Sequence, residues 1–442
     1  MAAMDRHPQL TRAAGLDRLA AFSPDAGHAY ASGRNTDFGP DTEGATSALS
    51  PFLRRRLVTE RETVAAALAS RGPAEADRFV QEVFWRSYFK GHLETRPALW
   101  TGYEALVRQG QARLATESGL RRVHEDAVAG RTGVDGFDDW ARELVEHNWL
   151  HNHARMWFAS IWIFTLHLPW ALGAAFFMRH LLDGDPASNT LSWRWVAGLH
   201  TRGKAYAARA ENIRRFTDGR FDPRGLDEDP VALEEPNEVA ATPLPQAGRA
   251  PDGEVALLLH LDDLHPESLD LGQARVARVA GLLAHADGAV PRVVAADREA
   301  MADALARAAA HFGCAAGTAM AAPGQDADGA APWAADWAGG LPAVAAWAPV
   351  GPSASALPPC TRVRRSWDSA AWPRATKGFF QVKAAIPQVL ASEGLADAGA
   401  QGGGGEKAAS KAGLCPDPPG GKPPPGPAFL SNGFQRPAFG GV

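Results

Sequence analysis

The chain has 442 residues, enough for two domains and a large buried core. Its formal net charge of -5 supplies no global basic field, so any nucleic-acid contact must be a local positive patch. The three cysteines, Cys314, Cys360 and Cys415, lie late and far apart, which argues against a disulfide framework or a cysteine-held metal or iron–sulfur site.

Residues 1–10 lack the apolar run of a secretory signal, so a soluble cytoplasmic, nuclear or organellar protein is expected. Residues 10–225 are rich in aromatics and arginines, and the apolar spacing predicts helices over 61–71, 74–92, 137–147, 154–166 and 172–182. The stretch 156–178 is almost uncharged and long enough for a bilayer, but Pro169 interrupts it and His167 sits inside it. It reads as two successive buried helices, with no membrane partner. Gly184 and Pro186 stop the last helix, which leaves Asp183 and Asp185 in a turn. Residues 226–252 are acidic and proline-punctuated, the composition of a linker.

From residue 253 to 395 the pattern changes to a small α/β segment with parallel strands. Strands are expected over 255–259, 290–294 and 342–350, helices over 273–286 and 296–312, and a loop over 315–340. The glycine- and proline-rich tail, 396–442, is expected to be disordered.

Four blocks carry chemistry. Thr46-Ser47-Ala48-Leu49-Ser50-Pro51 precedes a helix, and hydroxyls with amide N–H groups at a helix start suit an anion such as a pyrophosphate. An ordinary cap, Ser50 before Pro51, is the plainer alternative. Glu82, Trp85 and Arg86 recur at three- and four-residue intervals and share one side of a helix, as a binding group or a half-buried salt bridge beside a packing indole. In the block Trp149 to Met156, His151 and His153 are two residues apart and point apart on a helix, so no metal is expected. The fourth block, Asp183 to Trp195, holds two carboxylates, an amide and two tryptophans. That mixture suits the polar edge of an isoalloxazine ring with electron donors nearby. An acidic capping loop followed by core tryptophans is the alternative.

These blocks, in this order, resemble the flavin-binding half of the DNA photolyase/cryptochrome family, over residues 20–220. The resemblance implies a mainly α fold: an all-helical photolyase-type FAD-binding domain over 10–225, then the linker 226–252, the small α/β domain 253–395 and the disordered tail. The family's usual N-terminal α/β antenna domain is expected to be absent, and the resemblance implies no particular antenna chromophore. FAD contacts are implied for Tyr30, Thr46, Ser47, Leu49, Ser50, Arg86, Arg155, Asp183, Asp185 and Asn189, with Arg34-Asn35 as a lead-in. Arg155 would pair with Asp183, and Asn189 would face flavin N5. Glu82 would bond a damaged pyrimidine pair, Trp85 and Trp195 would wall its pocket, Met156 would line it, and Asn152 would face both flavin and substrate.

Asn152 and Met156 follow the pattern of cyclobutane-dimer photolyases; the (6-4) enzymes carry histidines there. His153 stands where an arginine is frequent, which puts one DNA contact in doubt. Trp193 and Trp170 match the first two members of an electron-transfer chain, with Trp100 and Trp140 as loose candidates for a third. Arg54, Arg55, Arg56, Arg202 and Lys204 are the candidate DNA phosphate contacts. The implied function is FAD-dependent, light-driven repair of cyclobutane pyrimidine dimers in flipped-out DNA by electron transfer from reduced flavin, the activity of a deoxyribodipyrimidine photo-lyase. The alternatives are a cryptochrome-like blue-light photoreceptor, signalling to a partner through its C-terminal region without repair, and a flavin-binding relic without photochemistry.

Overall fold

The computed structural model describes residues 8–42, 44–235, 238–325 and 333–396. The tail expected to be disordered lies outside them, apart from its first residue, Ala396.

Eleven helices come first among the described residues: α1 Arg12–Phe22, α2 His28–Gly33, α3 Ser50–Arg54, α4 Glu60–Glu94, α5 Ala98–Thr116, α6 Ser118–Val128, α7 Phe137–His147, α8 Asn152–Ser160, α9 Trp170–His180, α10 Pro186–Val196 and α11 Ala210–Phe216. A capping box opens α4: the Thr59 hydroxyl accepts from the Glu62 N–H while the Glu62 carboxylate accepts from that of Thr59. Gly72, at φ 71°, and Pro73 break α4 into the two pieces that the sequence pattern suggests. Its second piece is buried at every position from Phe79 to Glu94, so it runs through the interior rather than over it.

The apolar stretch after Asn152 folds as α8, a π-helical turn Ile161–Thr165, and α9 beginning behind Pro169. Among the described residues no helix is long and apolar enough to cross a membrane. The described residues of 226–252 have no regular structure but are pinned at points: the Leu233 N–H donates to Ala197 O at 2.9 Å and that of Thr242 to Thr95 O at 2.7 Å.

The second half builds a five-stranded parallel sheet, ordered β3-β2-β1-β4-β5. Its elements are β1 Gly253–His260, β2 Ala274–Leu283, α12 Pro291–Phe312, β3 Ala319–Ala321, β4 Ala343–Ala346, α13 Pro352–Ala356, β5 Thr361–Val363, α14 Ser366–Ala371 and α15 Phe379–Ser392. Along β1, Val255, Leu257 and Leu259 enter the core shared with the helices, and Leu258 enters a smaller cluster on the opposite face.

Two sequence expectations fail here. Residues 273–286 are not a helix; they contain β2. A bulge opposite Val255/Ala256 leaves Ala277 unpaired, so Val276 and Val279 face one core at a spacing of three, which imitates a helix. Residues 290–294 are not a strand. Pro291 is the first residue of α12, and Val293 and Val294 are buried in its opening turn. The expected loop 315–340 includes the short strand β3.

Helices and sheet are joined by buried charge. Arg56, at 1 % exposure, reaches Glu60 at 3.1 Å, Asp263 at 3.4 Å and Asp368 at 2.6 Å, and Arg365 holds Asp263 at 2.6 Å. Arg54 binds Asp262 at 2.7 Å, and Arg55 binds Asp297 at 2.6 Å. Removing one partner strands the others without solvent. Arg56→Ala is expected to lower unfolding free energy by about 3–5 kcal/mol, measured by chemical denaturation. A loss under about 1 kcal/mol would show that these charges are solvated.

Candidate functional site

Four segments that are remote in sequence meet around one turn. Asp183, fully buried, follows α9 and precedes α10. Its Oδ2 accepts from Arg155 Nη2 at 2.9 Å and from Ser50 Oγ at 2.6 Å. Arg155 is fixed in turn, because its Nε donates to Leu150 O at 2.9 Å. Ser50 therefore does not cap α3; Leu49 holds the cap position and Ser50 faces the carboxylate. The loop before it is tied down by Arg18, which donates to Ser47 O at 2.6 Å and Thr46 O at 3.4 Å. Ser47 Oγ accepts from the Leu49 N–H at 3.3 Å, and Ala48 sits at φ 50°.

Asp185 does a different job. Its Oδ1 caps α10 by accepting from the Ser188 N–H at 2.8 Å. Its Oδ2 lies 3.2 Å from Arg86 and 3.0 Å from Lys90. Burial opposes its charge, but Lys90 and Arg86 outweigh that and hold the carboxyl well below its ordinary value. Both oxygens thus have partners within the protein. Asn189, one turn into α10, donates to Ala174 O at 2.9 Å.

Glu82 is buried and paired with Arg34 at 3.2 Å. Arg34 lies near the site through its own backbone too: its carbonyl lies 3.1 Å from His151 Nε2, and that of Asn35 lies 2.7 Å from His153 Nδ1. The two histidines therefore hold the 34–35 segment in place. His153 also stacks on Trp157 and Phe216, which turns it inward and away from a phosphate contact. Tyr30 is buried edge-on against Phe79 at 5.2 Å. Asn152 Nδ2 reaches Met156 Sδ at 3.7 Å, both buried on α8.

Trp193 is enclosed by Phe177 and Trp162, and a Cβ at Gly173 would collide with its ring, so glycine is required there. Trp170 packs against Tyr103 at 5.8 Å, and Tyr103 against Trp100 at 5.1 Å. Trp140 lies elsewhere, bonded to Asp37 and stacked on Trp157. Trp195 is half-buried beside Tyr206. Two cavities adjoin this region. One, of about 820 Å³, is lined by Tyr88, His92, Arg96, Arg194, His200 and Gly378 among others. The other, of about 650 Å³, lies between Trp100 and Tyr103 and the carboxyl ends of the strands, the edge where parallel sheets bind ligands.

Residues 79–226 match the family model described as the FAD binding domain of DNA photolyase. Over these residues the chain is similar to the photolyase/cryptochrome family. It is similar to the deoxyribodipyrimidine photo-lyases of Streptomyces griseus (33 % identical over 186 residues, 38 % of each chain) and Vibrio cholerae (30 % over 190 residues, 42 % of this chain and 39 % of that one). That of Agrobacterium fabrum is 32 % identical over 191 residues, 41 % of this chain and 37 % of the relative. The match therefore spans under half the length of these curated relatives.

The cofactor of this photolyase domain is FAD, and the site's chemistry fits it. Asp183 Oδ1, Asn189 Oδ1 and Arg86 Nη1 are buried polar atoms without hydrogen-bond partners among the described residues. Buried polar atoms are costly to leave without partners, so two acceptors, on the α9–α10 turn and on α10, and a guanidinium donor from α4 are suited to a polar ligand.

Other expectations need correction. Arg54, Arg55 and Arg56 are buried in the ion pairs with the sheet side, and Arg54 and Arg55 also donate to the carbonyls of Gly184 and Leu182. They have no route to a DNA phosphate. Arg202 and Lys204 are exposed. Sequence reasoning missed Phe379 and Trp367, which pack on Trp85 and Phe84. Neither lies in a motif, and no periodic signal singled them out.

The imidazoles set a pH dependence. Burial pushes His92 down to about 2, helped by His200, and His153 down to about 3, helped by His151. A neutral native histidine leaves the unfolded chain binding more protons below its ordinary value near 6.5, so stability is whole above that value and falls as pH drops towards the folded one. Each such group is expected to lower unfolding free energy by about 1.4 kcal/mol between about pH 7.5 and about pH 5.5. Urea titrations at the two pH values test this; equal stabilities would refute it.

Proposed function

We propose that this chain is a light-driven repair enzyme for cyclobutane pyrimidine dimers in DNA. The observation that carries the reading is the Asp183 carboxylate, paired with Arg155 and Ser50 through one oxygen and carrying a second without a hydrogen-bond partner among the described residues. FAD, when bound, supplies the light absorption and the one-electron chemistry. Asp183, Asn189 and Arg86 hold its polar edge, and the Thr46–Ser50 loop with its amides suits the phosphates.

The chain's own groups do the rest. The Arg155 guanidinium holds and orients the Asp183 carboxylate, so the acceptor is fixed before the ligand arrives. Glu82, held by Arg34, would offer a carboxyl to the pyrimidine carbonyl edge, and Trp85 a surface for stacking. Asn152 and Met156, side by side on α8, give the pocket a neutral wall of the kind seen at cyclobutane-dimer sites. Arg202 and Lys204, exposed after α10, are the cations suited to phosphates.

A second reading, a blue-light photoreceptor that binds FAD without repair, is favoured by one observation: Trp85 is covered by Phe379 from the C-terminal side. The two readings separate in one assay. Purified protein with reduced flavin, illuminated with a thymine-dimer oligonucleotide, is expected to restore thymine absorbance. Bound FAD with no restoration selects the photoreceptor, and a colourless protein sinks both. Asp183→Asn is expected to weaken FAD retention by about tenfold or more, since a charge-assisted bond contributes about 1.5–3 kcal/mol; undiminished flavin absorbance would reject the assigned role. Arg202→Ala with Lys204→Ala is expected to reduce the slope of log affinity against log salt by about 2 in all, read from DNA titrations at several salt concentrations.

A further inference from the structure

Trp85 lies face to face with a ring from the far end of the chain. The rings of Trp85 and Phe379 stack with centroids 3.8 Å apart and planes 11° apart. Phe379 also meets Tyr88 edge-on at 5.9 Å and is 5 % exposed, whereas its neighbour Phe380 is 48 % exposed. The body of α15 is anchored independently, since Val382, Ile386 and Val389 all enter the core. Phe379 is its first residue, behind Gly378. Lys377 and Gly378 border the cavity of about 820 Å³, together with Tyr88, His92 and His200.

We propose that Phe379 is an internal stand-in for the substrate base: it holds the Trp85 face on which a pyrimidine would stack and thereby sets access to the pocket. This rests on the repair reading of the site. The physical argument is competition for one surface. An indole face at this separation accepts one flat partner, so a base and the phenyl ring exclude each other. The cavity beside Lys377 and Gly378 gives the phenyl ring somewhere to go without unpacking α15. A ligand that enters only the open form binds more weakly by the fraction of molecules that are open. Undamaged DNA, held by phosphate contacts outside the pocket, does not experience that competition.

The test uses the full chain with its flavin, in the dark. Affinities are measured for a single-stranded oligonucleotide with one thymine dimer and for its undamaged counterpart. Phe379→Ala is expected to tighten dimer binding about fivefold, the equivalent of about 1 kcal/mol of stacking, and to leave the undamaged strand unchanged. Phe379→Leu, which keeps an apolar side chain at the start of α15, is expected to give a smaller gain in the same direction and guards against misfolding of the alanine variant. In a Trp85→Ala background neither substitution should have an effect. The proposal is overturned if both Phe379 variants, with parental flavin content and melting temperature, bind the dimer no better than the parent. It is also overturned if they tighten both strands equally, if the gain persists without Trp85, or if no form binds the dimer. Failure of the underlying reading looks different: the parent lacks flavin, or binds the dimer and does not repair it in light.

Discussion

One carboxylate organises the site. Asp183 is buried, and a polar group in that position must be met by hydrogen-bonding partners. Its partners come from 133 residues upstream, Ser50, and 28 residues upstream, Arg155. Satisfying that one group therefore brings the α3 entry loop, α8 and the α9–α10 turn together. The same turn places Asp185 at the start of α10, where it caps the helix and takes up the charges of Arg86 and Lys90 from α4. Two neighbouring acids thus differ: Asp185 caps the helix, and Asp183 has one oxygen without a hydrogen-bond partner among the described residues.

The buried half of α4 is the spine against which the rest is arranged. One side presents Glu82 to Arg34 and Arg86 to Asp185. Another receives the C-terminal segments: Trp367 donates to Ser87 Oγ at 2.8 Å and lies on Phe84, and Phe379 stacks on Trp85. Gly91 is glycine because the Trp372 backbone passes too close for a Cβ. The sheet half is thus not an appendage. It completes a helix that the first half leaves open, and its acids neutralise the arginines at the end of α3. This explains why those three arginines, which look like a nucleic-acid patch in a linear reading, face inward: the carboxylates of Asp262, Asp263, Asp297 and Asp368 are a desolvated counterpart that water cannot replace.

Much of this was legible in the residues themselves. The breaks at Gly72-Pro73 and at Pro169, the two acids stranded between α9 and α10, and the grouping of Glu82, Trp85 and Arg86 on one helix follow from local stereochemistry, because φ limits and the 3.6-residue repeat act within a few residues. The family resemblance was legible for the same reason, being carried by short contiguous blocks. Local pattern failed where non-local geometry rewrote the periodicity. In β2 a bulge made a strand count like a helix, and in α12 a β-branched opening turn counted like a strand.

What only the tertiary structure decided is partnership. Nothing local distinguishes Asp183, with an oxygen left over, from Asp185, with none, or directs Arg54 and Arg55 to the interior while Arg202 and Lys204 stay in water. Those outcomes depend on which surfaces exclude solvent, and desolvation is a property of the assembled layers. The covering of Trp85 by Phe379, 294 positions later in the chain, is of the same kind: chain order and composition specify both rings, and only packing makes them neighbours.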